Sequence, residues 1–225
     1  MRNHPIFQSM SRNGLILAAF AIAATVLVVG TAKLTAPRIA AQQQQELLSV
    51  LNQLLPAAMH DNDLVASCTL VSHPELGGAQ QRVYRATLKG QALNDEPTNI
   101  PQALALEVTA PNGYSGAIKL LVAFNVNGTV AVVRVLEHKE TPGLGDKIEL
   151  RKDDWILSFN GLRVNGSDDK RWAVKRDGGQ FDAFTGATIT PRAVVHAVKQ
   201  ANLLYQQHGS SWFKAPANCS LGASS

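Results

Sequence analysis

The chain has 225 residues, 45% of them hydrophobic and 17% charged, with 21 Lys and Arg against 17 Asp and Glu for a formal net charge of +4. A composition this apolar can bury a core, which excludes general disorder. Within residues 1–60 only Glu46 opposes Arg2, Arg12, Lys33 and Arg38, so basic charge flanks an apolar segment instead of covering a folded body. That distribution argues against nucleic acid as a partner.

From Asn13 to Ala32 no residue is charged. A helix of that length spans about 30 Å, the thickness of a bilayer's hydrocarbon core. The sequence therefore predicts one transmembrane helix over 13–33, preceded by an N-terminal segment over 1–12. Lys and Arg are nearly balanced on its two sides, so charge does not orient it. A cleaved signal peptide is the rival reading, with Gly30 and Ala32 as the small residues before a cut. Its apolar core would exceed the roughly 7–15 residues usual for such signals, which favours a retained single-pass anchor.

Residues 34–60 read as a helical linker. Ala40 to Met59 is rich in helix formers, and Leu47, Leu48, Leu51, Leu54 and Leu55 recur at three- and four-residue spacing. Pro56 ends this helix, and Pro37 either interrupts its link to the anchor or stands within one continuous helix. Strands are expected at Cys68–Val71, Val83–Leu88, Leu104–Thr109, Ile118–Asn125 and Thr129–Glu137. Asn127-Gly128 joins the last two, as residues that tolerate the positive φ of a type I′ hairpin turn. Gln91 to Gln102 reads as a surface loop.

Asp153 to Phe159 reads as a short helix with Trp155, Ile156 and Phe159 inward, and Gly161 to Gly179 as polar turns. The last helix starts at Thr190, a threonine suited to the N-cap, with Pro191 at its first position. Val194, Val195, Val198, Ala201, Leu204 and Tyr205 form its buried face. The tail from Gly209 is expected to be loosely ordered except near Cys219. Strands followed by scattered helices give an α+β domain on a mixed or antiparallel sheet. Cys68 and Cys219 form no C-x-x-C pair. In a domain outside the cytoplasm they either bond to each other or remain two unrelated thiols.

Most motifs of known chemistry are absent, including a Walker loop, H-E-x-x-H, G-x-S-x-G and any cysteine cluster, so no metal is expected. His138 and Glu140 would share a strand face as a solvated pair. Three glycine-rich segments remain. Pro111-Asn112-Gly113-Tyr114-Ser115-Gly116-Ala117-Ile118 is a turn that delivers Tyr114 into a strand. In Glu140-Thr141-Pro142-Gly143-Leu144-Gly145-Asp146-Lys147, the glycines on either side of Leu144 would let the backbone approach a flat ligand, with Lys147 supplying charge. Asp182-Ala183-Phe184-Thr185-Gly186-Ala187-Thr188 lies just before a helix N-terminus, where free N–H groups favour phosphate. Each segment alone is also consistent with an ordinary turn.

Together they resemble the FMN-binding domain family, in which D-A-F-T-G-A-T is similar to the recognition motif for covalent flavin attachment. The resemblance implies that Thr188 carries FMN through a phosphoester installed by a flavin transferase that uses FAD and Mg²⁺. Asp182 would be the motif's acidic residue and Thr185-Gly186-Ala187 its approach. Tyr114, Thr141, Gly143, Leu144, Gly145 and Lys147 lie in the blocks similar to those around the family's flavin.

With the anchor, nearly the whole chain resembles the anchored flavoproteins of bacterial Rnf (Rsx) electron transport complexes. A periplasmic FMN-binding domain over 61–225, with its core motif region over about 104–207, would then be tethered to the inner membrane, which implies a cytoplasmic N-terminus over 1–12. It would pass electrons among membrane and iron–sulfur subunits that couple electron transfer to ion translocation. The rival readings are a flavinylated component of the related sodium-pumping quinone reductase, a regulatory FMN-binding protein, a non-redox tethered binding module and an anchoring or assembly subunit with no ligand.

Overall fold

A computed structural model describes residues 5–90 and 99–219 of the chain. It divides into two compact units, Met1–Leu48 and Ser49–Ser225. Helix α1, Pro5–Leu54, runs unbroken through Pro37 and ends just before Pro56, as expected. It is the one helix among the described residues long and apolar enough to cross a membrane. Its exposed side chains include Leu15, Phe20, Ile22 and Val26. Thr25, Thr31 and Thr35 donate their hydroxyls to the carbonyls of Ala21, Leu27 and Thr31 at 2.8, 2.8 and 2.9 Å. Such back-bonding satisfies a hydroxyl where no water is available.

The second unit is built on an antiparallel sheet of five strands in the order β1-β2-β3-β4-β5: Thr69–His73, Gly78–Lys89, Asn99–Ala110, Ile118–Asn125 and Val130–Glu137. Period-two alternation sends Leu104, Leu106, Val108, Leu120, Val122 and Phe124 into the main core beneath helix α2, Ile189–Lys214. Ala103, Ala105, Leu121, Ala123 and Tyr84 are buried on the opposite face, and Leu51, Leu54 and Leu55 are buried as well. Both faces of the central strands are thus withdrawn from water. This explains why β4 is apolar almost throughout.

Several expectations need correction. Part of the loop expected at Gln91–Gln102 is strand: Asn99, Ile100 and Pro101 pair with Lys89, Leu88 and Thr87. The register slips between Ala86 and Thr87, the kind of irregularity that admits a proline into a ladder. Residues 91–98 of that loop lie outside the described residues, as do 1–4 of the expected N-terminus and 220–225 of the tail. The β4–β5 turn is a three-residue loop, not a two-residue one. Asn125 N–H bonds the Thr129 carbonyl, Gly128 N–H bonds the Asn125 carbonyl, and Gly128 takes φ +86°. The short helix at Asp154–Phe159 is 3-10 in form, capped by Asp153 and with Trp155, Ile156 and Phe159 buried.

The expected loose tail is also helical to Lys214. Gly209 lies against the Tyr205 ring, where a Cβ would come within 2.9 Å, and Trp212 is buried. Arg85 donates to the carbonyls of Ser67, Phe213 and Ala215, which satisfies groups a helix C-terminus leaves open. Cys68 and Cys219 are joined as a disulfide with their Cα atoms 5.5 Å apart. Asn218 runs alongside, its Oδ1 accepting from Leu70 N–H at 2.7 Å.

Buried Asn202 fixes the lengthwise position of α2. Its Nδ2 donates to the Gly128 carbonyl at 2.8 Å and its Oδ1 accepts from Val164 N–H at 2.9 Å. Tyr205 stacks on Phe124 with ring centroids 4.7 Å apart. Docked at these points, α2 presents its N-terminus to the loops that follow β3 and β5.

Candidate functional site

Thr188 is the residue immediately before α2. Its backbone is already near helical (φ −76°, ψ −26°) and its hydroxyl makes no cap hydrogen bond. The side chain is half-buried. Ile189, beside it, is 47% exposed. The first turn of any helix leaves N–H groups without helical partners, and Pro191 removes one of them here. What remains is a hydroxyl beside the N–H groups of Ile189 and Thr190 at the positive end of a 26-residue helix.

The sequence marks Thr190 as the cap of this helix, and Thr190 does not serve as one. It lies in the first turn, fully buried, and donates its hydroxyl to Glu140 Oε2 at 2.5 Å. Pro191 is accordingly the third helical residue and not the first.

The approach to Thr188 is a tight turn. Ala187 N–H bonds the Phe184 carbonyl at 3.1 Å, and Gly186 takes φ +81° at the third position, where only a residue without a Cβ is unstrained. Thr185 is exposed at the tip. Asp182, at the head of the loop, is exposed and pairs with Lys175 at 2.7 Å. Its carbonyl accepts from the Trp155 indole N–H at 2.9 Å, and Trp155 meets Phe184 edge-on at 5.1 Å. Phe159, Trp172 and Phe181 continue this aromatic support inward.

The second glycine-rich segment folds over the third. The Leu144 side chain lies 3.5 Å from where a Cβ at Gly186 would stand, and Leu144 remains 43% exposed. The Thr141 carbonyl accepts from the N–H groups of Leu144 and Gly145, and Gly143 N–H donates to Asp146 Oδ1 at 2.7 Å. The two glycines differ in their surroundings. Gly143 has open space at its Cβ position but holds φ +77°. Gly145 is pressed against Glu140 and Thr190, leaving no room for a methyl group. Lys147 is half-buried at a cleft of about 480 Å³ bounded by Trp155, Asp182 and Thr185. A second cleft, of about 300 Å³, lies past Ile189 between Asn112, Arg192 and His196.

The first segment joins through the same carboxylate. Ser115 N–H donates to Glu140 Oε1 at 3.1 Å. Tyr114, expected to enter a strand, stays in the turn before β4 and is 67% exposed. Glu140, which the sequence presents as half of a solvated strand pair, is only 4% exposed and lies beyond the end of β5. His138 accepts the Glu140 N–H on Nδ1 and faces Glu149 Oε1 at 2.7 Å through Nε2. Burial pushes the Glu149 carboxyl up, but hydrogen bonds from Arg151 and His138 outweigh it and hold the group below its ordinary value.

Sequence reasoning misses Glu140 as a hub and Trp155 as a support. The signal for the first is its place directly before Thr141-Pro142-Gly143. Among the described residues no group of three His, Cys, Asp or Glu side chains could hold a metal.

An FMN fits this set on two observations. The Thr188 hydroxyl makes no cap bond beside orphan helix N–H groups, which suits a phosphate ester. Leu144, Tyr114 and Ile189 leave apolar surface exposed on the loops around it, which suits a flat ring. Residues 113–202 match the family described as FMN-binding domain, and residues 1–54 match the RnfG N-terminal region. The chain is 50% identical over 215 residues to the G subunit of the ion-translocating oxidoreductase complex from Vibrio atlanticus, covering 95% of this chain and 99% of that one. The protein of the same name from Shewanella oneidensis is 49% identical over 212 residues, covering 93% and 96%. That from Aliivibrio fischeri is 50% identical over 213 residues, covering 94% and 97%.

Proposed function

The chain belongs to the family of RnfG proteins, the G subunits of ion-translocating oxidoreductase complexes, and from that premise we propose that it carries electrons on an FMN esterified to Thr188. The observation that carries this reading is the asymmetry of two neighbouring threonines. Thr190 has committed its hydroxyl to Glu140, whereas Thr188 has made no cap bond and lies on an accessible turn.

In the attachment step the Thr188 oxygen bonds to the FMN phosphorus of FAD within the active site of a flavin transferase. The pyrophosphate bond breaks, AMP leaves, and the threonine proton passes to a base of the transferase or to water. The N–H groups of Ile189 and Thr190 would then face the ester phosphate. Leu144, held over Gly186, would lie against the ring, with Tyr114 and Ile189 as further apolar surface. Lys147 would add positive charge from the cleft beside Trp155. Thr141, Gly143 and Gly145 hold the loop that presents Leu144, and Thr185, Gly186 and Ala187 form the turn that the transferase reads, with Asp182 at its head.

The bound flavin supplies the redox chemistry, and the protein supplies attachment, orientation and electrostatic setting. Residues 13–33 would anchor the chain in the inner membrane, with 34–60 as linker and 61–225 in the periplasm among membrane and iron–sulfur partner subunits. The back-bonded Thr25 and Thr31 support a membrane environment for that anchor.

Mass analysis of the full chain produced with a flavin transferase tests the reading. Wild-type protein gains the mass of an FMN ester on the peptide containing Thr188. Thr188→Val preserves the side chain's shape and should gain none while remaining folded. Thr185→Val should reduce the modified fraction without moving the site. Flavin retained covalently by Thr188→Val would sink the assignment.

A further inference from the structure

We infer that Glu140 is the positioning residue of the flavin-acceptor site. Its buried carboxylate ties the three glycine-rich loops into one arrangement and thereby sets which threonine is offered for modification. The inference rests on the reading of Thr188 as acceptor and adds a device to it.

Each carboxylate oxygen of Glu140 serves a different loop. Oε1 accepts from Ser115 N–H at 3.1 Å, fixing the loop after β3. Oε2 accepts from the Thr190 hydroxyl at 2.5 Å, fixing the first turn of α2. The loop that carries Glu140 itself brings Gly145 against the same pair, where a Cβ would stand 2.9 Å from Glu140 Oε2 and 3.0 Å from Thr190 Oγ1. On the other side, a Cβ at Gly113 would stand 2.8 Å from Glu140 Oε1. Two glycines from different motif segments therefore make room for one side chain. Glu140 is in turn held by His138, whose Nδ1 accepts its backbone N–H at 3.0 Å.

This arrangement has two consequences for Thr188. It withholds Thr190, the nearest competing hydroxyl, by burying it and engaging it as a donor. It also clamps the helix start two residues after Thr188, so that the acceptor oxygen and the orphan N–H groups keep a fixed mutual geometry. Displacements of about 1 Å in such a geometry cost orders of magnitude in rate. Glutamine can reproduce the link: its oxygen accepts from Ser115 N–H while its amide donates to the Thr190 oxygen. Alanine cannot.

The test measures the rate of FMN attachment to the full chain by a flavin transferase with FAD, together with amide hydrogen exchange of the flavin-free protein. Glu140→Gln should attach FMN within about threefold of wild type, whereas folded Glu140→Ala should be roughly tenfold or more slower. Glu140→Ala should also exchange faster at residues 186–190 and at Ser115. A folded Glu140→Ala protein that is modified at the wild-type rate and exchanges normally overturns the proposal. If Glu140→Ala does not fold, Thr190→Val decides. It fills the same volume without the donor, and a slowed rate supports the link whereas an unchanged rate overturns it. Flavin found on another residue of wild-type protein would defeat the acceptor reading, and the exchange measurement would still judge the role of Glu140.

Discussion

The Trp155 indole N–H donates to the carbonyl of Asp182 at 2.9 Å, so the aromatic core reaches the first residue of the Thr188 loop by one directed bond. Trp155→Phe keeps most of the packing against Phe159 and Phe184 and deletes that bond. It should cost about 1 kcal/mol, or roughly 3 °C in Tm. The faster amide exchange it causes should concentrate at residues 182–187. A Tm change without that local signature would show that the bond does not hold the loop.

Gly145 and Gly186 should fail differently when given a methyl group. At Gly145 the methyl meets the Glu140 side chain and the Thr190 hydroxyl, so Gly145→Ala should destabilise by about 1–3 kcal/mol through overpacking. At Gly186 the space is adequate, with Leu144 at 3.5 Å, and the cost is the left-handed backbone, about 1–2 kcal/mol. Gly186→Asn should recover part of that loss, because asparagine tolerates this conformation, whereas Gly145→Asn should be worse than Gly145→Ala. Equal behaviour of the two asparagine variants in thermal melts would contradict the distinction.

The strand pattern, the fold class and the neighbourhood of Thr188 are legible in the sequence because they depend on local signals. Alternation marks β3 and β4, and the T-G-A-T run abuts a helix whose apolar face is periodic. Misreadings arise where a distant residue decides a local choice. Thr190-Pro191 looks like a cap followed by a first-turn proline. A carboxylate fifty positions earlier draws Thr190 into the helix instead. Gly209-Ser210-Ser211 looks like a helix end, yet contact with Tyr205, burial of Trp212 and the carbonyl bonds from Arg85 extend the helix to Lys214. Glu140 itself carries no periodic signal, since its partners lie on two other loops.

Asp169 organises the turn between Asn165 and Arg171. It accepts from the guanidinium of Arg171 at 2.9 and 2.6 Å and from Asn165 N–H at 2.9 Å. The hydrogen bonds from the Arg171 side chain hold its carboxyl far below the ordinary aspartate value. The unfolded chain therefore binds the proton more readily, and the contribution to stability is complete above about pH 4 and declines as pH falls toward the depressed native value. Asp169→Asn should melt lower than wild type at about pH 6, with the gap narrowing by about pH 3. A gap that widens on acidification would refute this linkage.

The disulfide joins residues 151 positions apart. Closing a loop of that size removes unfolded-state entropy worth up to about 5 kcal/mol in the chain-entropy model. Non-reducing peptide mapping of protein purified without reductant should recover Cys68 and Cys219 in one linked species. Reduction should lower Tm without releasing the helix end, because Arg85 and Asn218 still hold it. Two free thiols in that preparation would count against the bridge.

The strand order β1-β2-β3-β4-β5 also shapes how the protein comes into being. Every strand pairs with its neighbour in sequence, so the sheet closes through short local steps that carry little loop entropy. Helix α2 and Cys219 follow all five strands in the chain and are synthesised after them. The emerging chain can assemble its meander before Thr188 is present, and the turn that holds Thr188 takes shape only when α2 docks through Asn202 and Tyr205. On the proposed reading of Thr188 as acceptor, flavin attachment would report completed folding, and a chain truncated before residue 189 should be refused by the transferase even though its threonine is present.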